Sequence, residues 1–135
     1  MWERKKHSPL KRIDSLIGAG TVVHGDVSFT GGLRIDGQVQ GSVIAIDGEP
    51  GTLVVSEQAR IDGEIRVSHV VINGTVNGPI AVNDHLELQG KARVVGDVSY
   101  RTLEMHVGAV VQGRLIHQGA PVKAVELKLA ASNAG

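Results

Sequence analysis

The amino-acid sequence predicts an all-β fold: a β-solenoid in which a single chain winds into about six coils of short parallel strands. Three observations predict it. A five-residue pattern centred on glycine recurs along the chain, and apolar and polar residues alternate within each recurrence. Only three of the 135 residues are aromatic, whereas 18 are glycine. A thin coil stacked on copies of itself needs glycine at its corners and leaves little space for large rings.

The recurring unit is an aliphatic residue, a polar residue, Gly, a polar residue and an aliphatic residue. The six units occupy residues 23–27, 39–43, 61–65, 76–80, 94–98 and 111–115. The alternation has the period of a β-strand, and no part of the repeat shows sustained helical spacing. Because a unit of roughly 17 residues is too short to build two layers of sheet, we interpret each unit as one coil.

Three positions of the unit are apolar in every coil, and we expect each to form a column of the core. The first column, eight residues before the glycine, contains Ile17, Leu33, Val55, Val70, Leu88 and Met105. The second, two before it, contains Val23, Val39, Ile61, Val76, Val94 and Val111. The third, two after it, contains Val27, Val43, Ile65, Ile80, Val98 and Leu115. A fourth position is always small, which indicates a wall close to the axis: Thr21, Gly37, Ala59, Gly74, Ala92 and Ala109.

An ordinary sandwich or barrel of antiparallel strands would also alternate, but it would not require residues of matching size at such regular intervals. The longest interval between repeat glycines contains the turn-rich segment 47–51, which we expect to form an extruded loop or short hairpin. Neither observation determines the hand of the solenoid.

At this level the chain resembles the bactofilins, small bacterial polymer-forming proteins. The resemblance covers residues 15–116 and is carried by LIGAGTVVHGDV at 16–27, LRIDGQVQGSV at 33–43 and the glycine-centred coils that follow. It implies a right-handed β-helix that forms filaments without nucleotide through N-to-N and C-to-C contacts. It also implies a scaffold at the inner face of the cell membrane. Such a scaffold would position cell-wall hydrolases or synthases, or other machinery that determines cell shape. The sequence has no phosphate-binding Gly-x-x-x-x-Gly-Lys motif, in keeping with that expectation.

The sequence divides into a basic tail at 1–14, a β-helix domain at 15–118 and a C-terminal tail at 119–135 that contains one possible weak strand. Neither end of the predicted β-helix has a convincing cap that would cover its last coil. The open strand edges of the end coils therefore favour stacking on a second copy of the chain. We expect the N-terminal contact to use Ile17, Val23, Val27 and Phe29. We expect the C-terminal contact to use Met105, Val107, Val111 and Leu115.

The N-terminal arm, residues 1–12, carries five basic residues and one acid, so its net charge of +4 leaves −4 on the rest of this neutral chain. A tryptophan beside basic residues is typical of a segment that binds an anionic membrane surface, and many copies on one filament would add avidity. The predicted membrane-binding residues are Met1, Trp2, Arg4, Lys5 and Lys6. No secretory signal or membrane-spanning run is evident, so we expect a cytoplasmic protein that is peripheral on the membrane. The balanced charge argues against a nucleic-acid partner.

No catalytic residue, metal site or cofactor is predicted. The alternative is a trimeric left-handed solenoid enzyme, either a hexapeptide acyltransferase or a carbonic anhydrase of the γ class. Such an anhydrase would need three zinc-binding histidines. His69 and His85 fall at similar repeat positions, 6 and 7 residues after their glycines, but His106 falls 10 residues after its glycine. The outward residues of the coils are interpreted as solvated: Asp26, Asp36, Asp62, Asp97 and Arg114.

Overall fold

The computed structural model describes residues 13–47 and 49–119, and every regular element in these ranges is a β-strand. Most strands are only three residues long, because each side of a coil is short. In chain order they are β1 (Ser15–Ile17), β2 (Val22–His24), β3 (Val27–Phe29), β4 (Gly31–Ile35), β5 (Gln38–Gln40), β6 (Val43–Ala45), β7 (Gly51–Val55), β8 (Arg60–Asp62), β9 (Ile65–Ile72), β10 (Thr75–Asn77), β11 (Ile80–Leu88), β12 (Arg93–Val95), β13 (Val98–Tyr100), β14 (Thr102–Met105), β15 (Val110–Gln112) and β16 (Leu115–His117).

The strands stack into three faces, and every neighbouring pair is parallel, which confirms the predicted β-solenoid of about six coils. Face 1 contains β1, β4, β7, β14 and the second halves of β9 and β11. Face 2 is the six-stranded sheet of β2, β5, β8, β10, β12 and β15. Face 3 contains β3, β6, β13, β16 and the first halves of β9 and β11. Faces 1 and 3 form one ten-stranded sheet because β9 and β11 continue through the corner between them.

The core is a set of aliphatic columns that run along the solenoid axis. Strand register confirms the second and third predicted columns in full. In the four middle coils the side chains of both columns are at most 1% exposed, so they are shielded from water on all sides. Because one face of each strand is inward and the other outward, the period-two alternation of the sequence is accounted for.

The first predicted column is wrong at two places. Strand register aligns Ile17 with Ile35 rather than Leu33, and Val55 with Ile72 rather than Val70. The cause is the corner between faces 1 and 2. This corner has four residues at 18–21, 56–59, 89–92 and 106–109 but only two at 36–37 and 73–74. A shift of two residues keeps a side chain on the same side of a strand, so both displaced residues are still buried.

The repeat glycines form a column of close backbone contacts. A Cβ atom placed on Gly78 would lie 2.2 Å from the carbonyl oxygen of Gly63 in the preceding coil, and one on Gly96 would lie 2.5 Å from that of Gly78. Any side chain there would force two coils apart. The connection between β6 and β7 is four residues longer than the single residue, Thr30, that joins β3 to β4. It supplies four of the six residues by which the longest repeat interval exceeds the preceding one, and the longer corner at 56–59 supplies the other two.

Candidate polymerisation surfaces at the two solenoid ends

The first and last coils present open strand edges. Within residues 13–47 and 49–119, the first three strands pair only with the second coil, and the last three pair only with the fifth. The outer backbone N–H and C=O groups of these strands therefore face away from the solenoid. Such groups are a template for pairing with another chain.

Core burial is lost at both ends of the solenoid. In the column that runs from Val27 to Leu115, the four middle residues are at most 1% exposed, whereas Val27 is half-buried and Leu115 is 43% exposed. The column from Ile17 to Met105 behaves in the same way, and Met105 is 44% exposed. These end residues have the positions of core residues, but among residues 13–47 and 49–119 no further coil covers them on the outer side. Each end is therefore a cross-section of the apolar core.

Apolar residues on the outside of the solenoid also concentrate at its ends. The outward position three residues before the repeat glycine is polar in the four middle coils and valine in the first and last: Val22, Gln38, Arg60, Thr75, Arg93 and Val110. Both valines are exposed. Val107, at the tip of the last corner, is 99% exposed, although coil 3 has Glu57 at the same place. Clustered apolar exposure of this kind marks an interaction surface.

The structure places the residues predicted for the N-terminal contact at the first coil. Ile17, Val23 and Val27 are half-buried against the core, whereas Phe29 is buried, with its ring near Gly51. Phe29 is therefore mainly a core residue. Sequence analysis missed Leu16 and Val22, which are exposed outward residues of the same coil.

Of the residues predicted for the C-terminal contact, Met105, Val107 and Leu115 are exposed and Val111 is half-buried. Sequence analysis missed Val110 and Ile116. A readable signal existed only for the two valines: the outward position three residues before the repeat glycine is valine in the first and last coils alone, at 22 and 110.

A polar cluster lies on face 1 near the C-terminal end. His106 Nε2 lies 3.1 Å from an oxygen of Glu87 and 3.1 Å from an oxygen of Glu104. These three side chains bring one imidazole and two carboxylates together, a set of groups that could hold a divalent cation. His69 and His85 lie in register on neighbouring coils, as their repeat positions predicted. His69 is not part of this cluster, and its side chain contacts Asp84.

All four aspartates that were interpreted as solvated also bind neighbouring groups. Asp26 accepts a hydrogen bond from the backbone N–H of Ser42 at 2.8 Å, and Asp97 accepts one from that of Arg114 at 3.0 Å. These bonds join consecutive coils. The Arg114 guanidinium, followed by its backbone N–H, lowers the pKa of Asp97 below its ordinary value.

Asp36, in a corner, and Asp62, the last residue of β8, have the same electrostatic character. A hydrogen bond with Ser56, helped by Arg34, lowers the pKa of Asp36. Hydrogen bonds from Asn77 and then from Arg60 lower the pKa of Asp62. These side chains therefore join neighbouring coils in their ionised, carboxylate form.

The predicted membrane-binding residues Met1, Trp2, Arg4, Lys5 and Lys6 lie outside the described residues. The part of the chain that the structure describes contains no helix that is long and apolar enough to cross a membrane.

The described residues define a class of repeat protein, the parallel β-solenoid, here with an open, partly apolar cross-section at each end. Comparison with known proteins identifies the family. The sequence model of the bactofilin family matches residues 15–116, and this family is described as polymer-forming cytoskeletal. The chain belongs to the bactofilin family. It is 29% identical over 115 residues to bactofilin BacO of Myxococcus xanthus (strain DK1622), and the match covers 82% of this chain and 88% of that protein. No solved structure matches the chain.

Proposed function

We propose that this polymer-forming cytoskeletal protein assembles end to end, without nucleotide, through N-to-N and C-to-C contacts. In this proposal the filaments lie on the inner face of the cell membrane and position cell-wall hydrolases or synthases, or other cell-shape machinery. Its role is structural and not enzymatic. The loss of core burial in the first and last coils is the observation that carries the proposal.

End-to-end contact is favoured because both ends offer what a further coil would use. A stacked copy would pair the open strand edges and would bury the end residues of the core columns. Burial of apolar surface drives most protein association, and hydrogen bonding of strand edges sets the register. Stacking of this kind needs no energy from nucleotide hydrolysis.

Mutation of Leu115 tests the polymerisation step. Leu115→Arg puts a charge at the centre of the C-terminal end, where stacking would bury it without a partner, so we expect a folded but short species. Sedimentation velocity measures its size without added nucleotide. A polymer as long as that of the unmodified chain would contradict the proposed C-terminal contact.

Val107→Arg provides a second variant that leaves the core intact. Since this side chain is 99% exposed, its replacement has no core contact to remove. We expect shortened polymers with an unchanged thermal unfolding temperature. Unchanged polymer length for both arginine variants would reject the C-terminal contact even if one of them folded poorly.

Flotation with lipid vesicles tests the membrane step. Trp2→Ala combined with Lys5→Ala and Lys6→Ala removes an interfacial aromatic ring and two cations, each cation worth about 1 kcal/mol near an anionic surface. We expect the triple variant to be released from anionic vesicles. Replacement of Lys123 and Lys128 by Ala removes two cations from the other tail and is the matched control. Unchanged co-flotation of the N-terminal variant would reject membrane binding through this arm.

A further inference from the structure

We infer that the two ends of the solenoid bind unequally: the C-terminal end forms the primary dimer, and the N-terminal contact is weaker and opposed by repulsion between basic arms. This inference rests on the proposed end-to-end assembly and adds an order to it. The occupant of each end is a second copy of the chain, as expected in a family of polymer-forming proteins.

Apolar exposure differs between the ends. Leu115 and Met105 are 43% and 44% exposed, whereas Val27 and Ile17, at the opposite ends of the same columns, are only half-buried. Outside these columns, Ile13, Leu16 and Val22 are exposed at the N-terminal end. Val107, Val110 and Ile116 are exposed at the C-terminal end, and Val107 is almost fully exposed. A copy stacked on the C-terminal end would therefore bury more core-type apolar surface than one stacked on the N-terminal end.

Two charged side chains near the C-terminal end already have partners within the chain. Arg114 contacts Asp97 at 3.0 Å, and Glu104 contacts His106 at 3.1 Å. A charge that keeps its partner costs less when water is excluded than an unpaired one. Stacking at this end can therefore bury apolar side chains while Arg114 and Glu104 keep their partners.

The N-terminal end has the opposite electrostatic situation. Ile13, which leads into the first strand and is exposed, follows directly on an arm whose net charge is +4. A contact between two N-terminal ends brings two such arms to one junction. Lys11 and Arg12 are within two residues of Ile13, a reach of about 7 Å, which is shorter than the Debye length of about 10 Å in 0.1 M salt. The arms therefore repel, and salt or an anionic surface weakens the repulsion.

Two arginine variants isolate the two contacts. Val27→Arg blocks the N-terminal end and leaves the C-terminal contact, whereas Leu115→Arg blocks the C-terminal end and leaves the N-terminal contact. Both substitutions lie in one core column, so they are matched. Sedimentation equilibrium gives the dimer dissociation constant of each variant in about 50 mM and about 500 mM NaCl, a range over which screening of charges rises steeply.

We expect Val27→Arg to form the tighter dimer, by at least about tenfold, with a dissociation constant that changes less than about twofold with salt. We expect Leu115→Arg to form the weaker dimer, and its dissociation constant should fall several-fold at the higher salt. Gly20→Arg and Val107→Arg repeat the comparison if a core variant unfolds. A Cβ atom on Gly20 would have nothing within 4 Å, and Val107 is fully exposed.

Neutralising the arm tests the cause of the difference. In the Leu115→Arg background, replacing Lys5, Lys6, Lys11 and Arg12 by Gln removes four positive charges and reduces the arm to zero. We expect a tighter N-terminal dimer that no longer responds to salt. The same background with Lys123 and Lys128 replaced by Gln is the control and should keep the salt response.

The outcomes separate the inference from the proposed function. An N-terminal dimer that is as tight as the C-terminal one, or that ignores salt before neutralisation, overturns the inference but leaves end-to-end assembly in place. An unmodified chain that is monomeric at every concentration overturns the proposed function itself.

Discussion

Leu115 and Val98 are neighbours in one core column, but they should respond to truncation in opposite ways. The two residues are paired in register on β16 and β13, and Val98 is 0% exposed whereas Leu115 is 43% exposed. Leu115→Ala removes apolar surface that only a second copy could cover. Val98→Ala removes surface that the chain has already covered. We therefore expect the first variant to weaken assembly and the second to weaken the fold.

The expected magnitudes follow from the exposed fractions. Full burial of a leucine side chain is worth about 1.5 to 3 kcal/mol, so the part of Leu115 still exposed is worth about 1 kcal/mol when a copy stacks on it. A C-to-C contact contains two copies of this residue, which gives about 2 kcal/mol, or about 30-fold in the dissociation constant. For Val98→Ala we expect a loss of about 2 kcal/mol in the free energy of unfolding and an unchanged dissociation constant.

The assay combines sedimentation with urea unfolding. Both alanine variants are made in the Val27→Arg background, which leaves only the C-terminal contact, and the dissociation constant is measured by a concentration series. Unfolding is followed at a concentration where each protein is monomeric. The reasoning is refuted if Leu115→Ala changes the dissociation constant by less than about threefold. It is also refuted if Val98→Ala weakens the dimer as much as Leu115→Ala does.

Two further predictions concern the fold. Gly78→Ala should lower the free energy of unfolding by about 2 to 3 kcal/mol, because the added methyl group would meet the carbonyl of Gly63. Gly20→Ala is the control and should have little effect, because a Cβ atom there lies in open space. Equal urea midpoints for the two variants would contradict the close contact at Gly78. Stability should also fall in acid, since three aspartates have a lowered pKa: Asp36, Asp62 and Asp97. A carboxyl whose pKa is lower in the folded state stabilises the fold above its ordinary value of 3.8, and this stability is lost as pH falls through the folded value. The urea midpoint should drop between pH 7 and pH 3. The drop should be smaller in a variant in which all three aspartates are replaced by Asn. An equal drop in both proteins would contradict the stabilising role of these carboxylates.

Sequence reasoning predicted the solenoid and two core columns because inward residues in a stacked coil must match in size from coil to coil. It misplaced Leu33 and Val70 because strand alternation does not count the residues of a corner. A two-residue corner and a four-residue corner both preserve the inward side, so the pattern alone gives the side of the strand and not the register. Register required the backbone hydrogen bonds.

The bonds made by Asp26 and Asp97 were beyond the sequence for a related reason. Each carboxylate reaches a backbone N–H in the next coil, 16 and 17 residues further on, and nothing in the local pattern indicates a partner at that distance. By contrast, the valines at 22 and 110 were readable in principle, because the same outward position is polar in every middle coil.

The axial repeat of filaments assembled without nucleotide tests the central claim, assembly through like ends, most directly. Six coils at about 4.8 Å per coil give a subunit about 29 Å long. In a filament with alternating N-to-N and C-to-C contacts the repeating unit is two subunits, so electron micrographs should give an axial repeat of about 58 Å. A repeat of about 29 Å, which head-to-tail stacking would produce, or the absence of filaments from nucleotide-free protein, would contradict the claim.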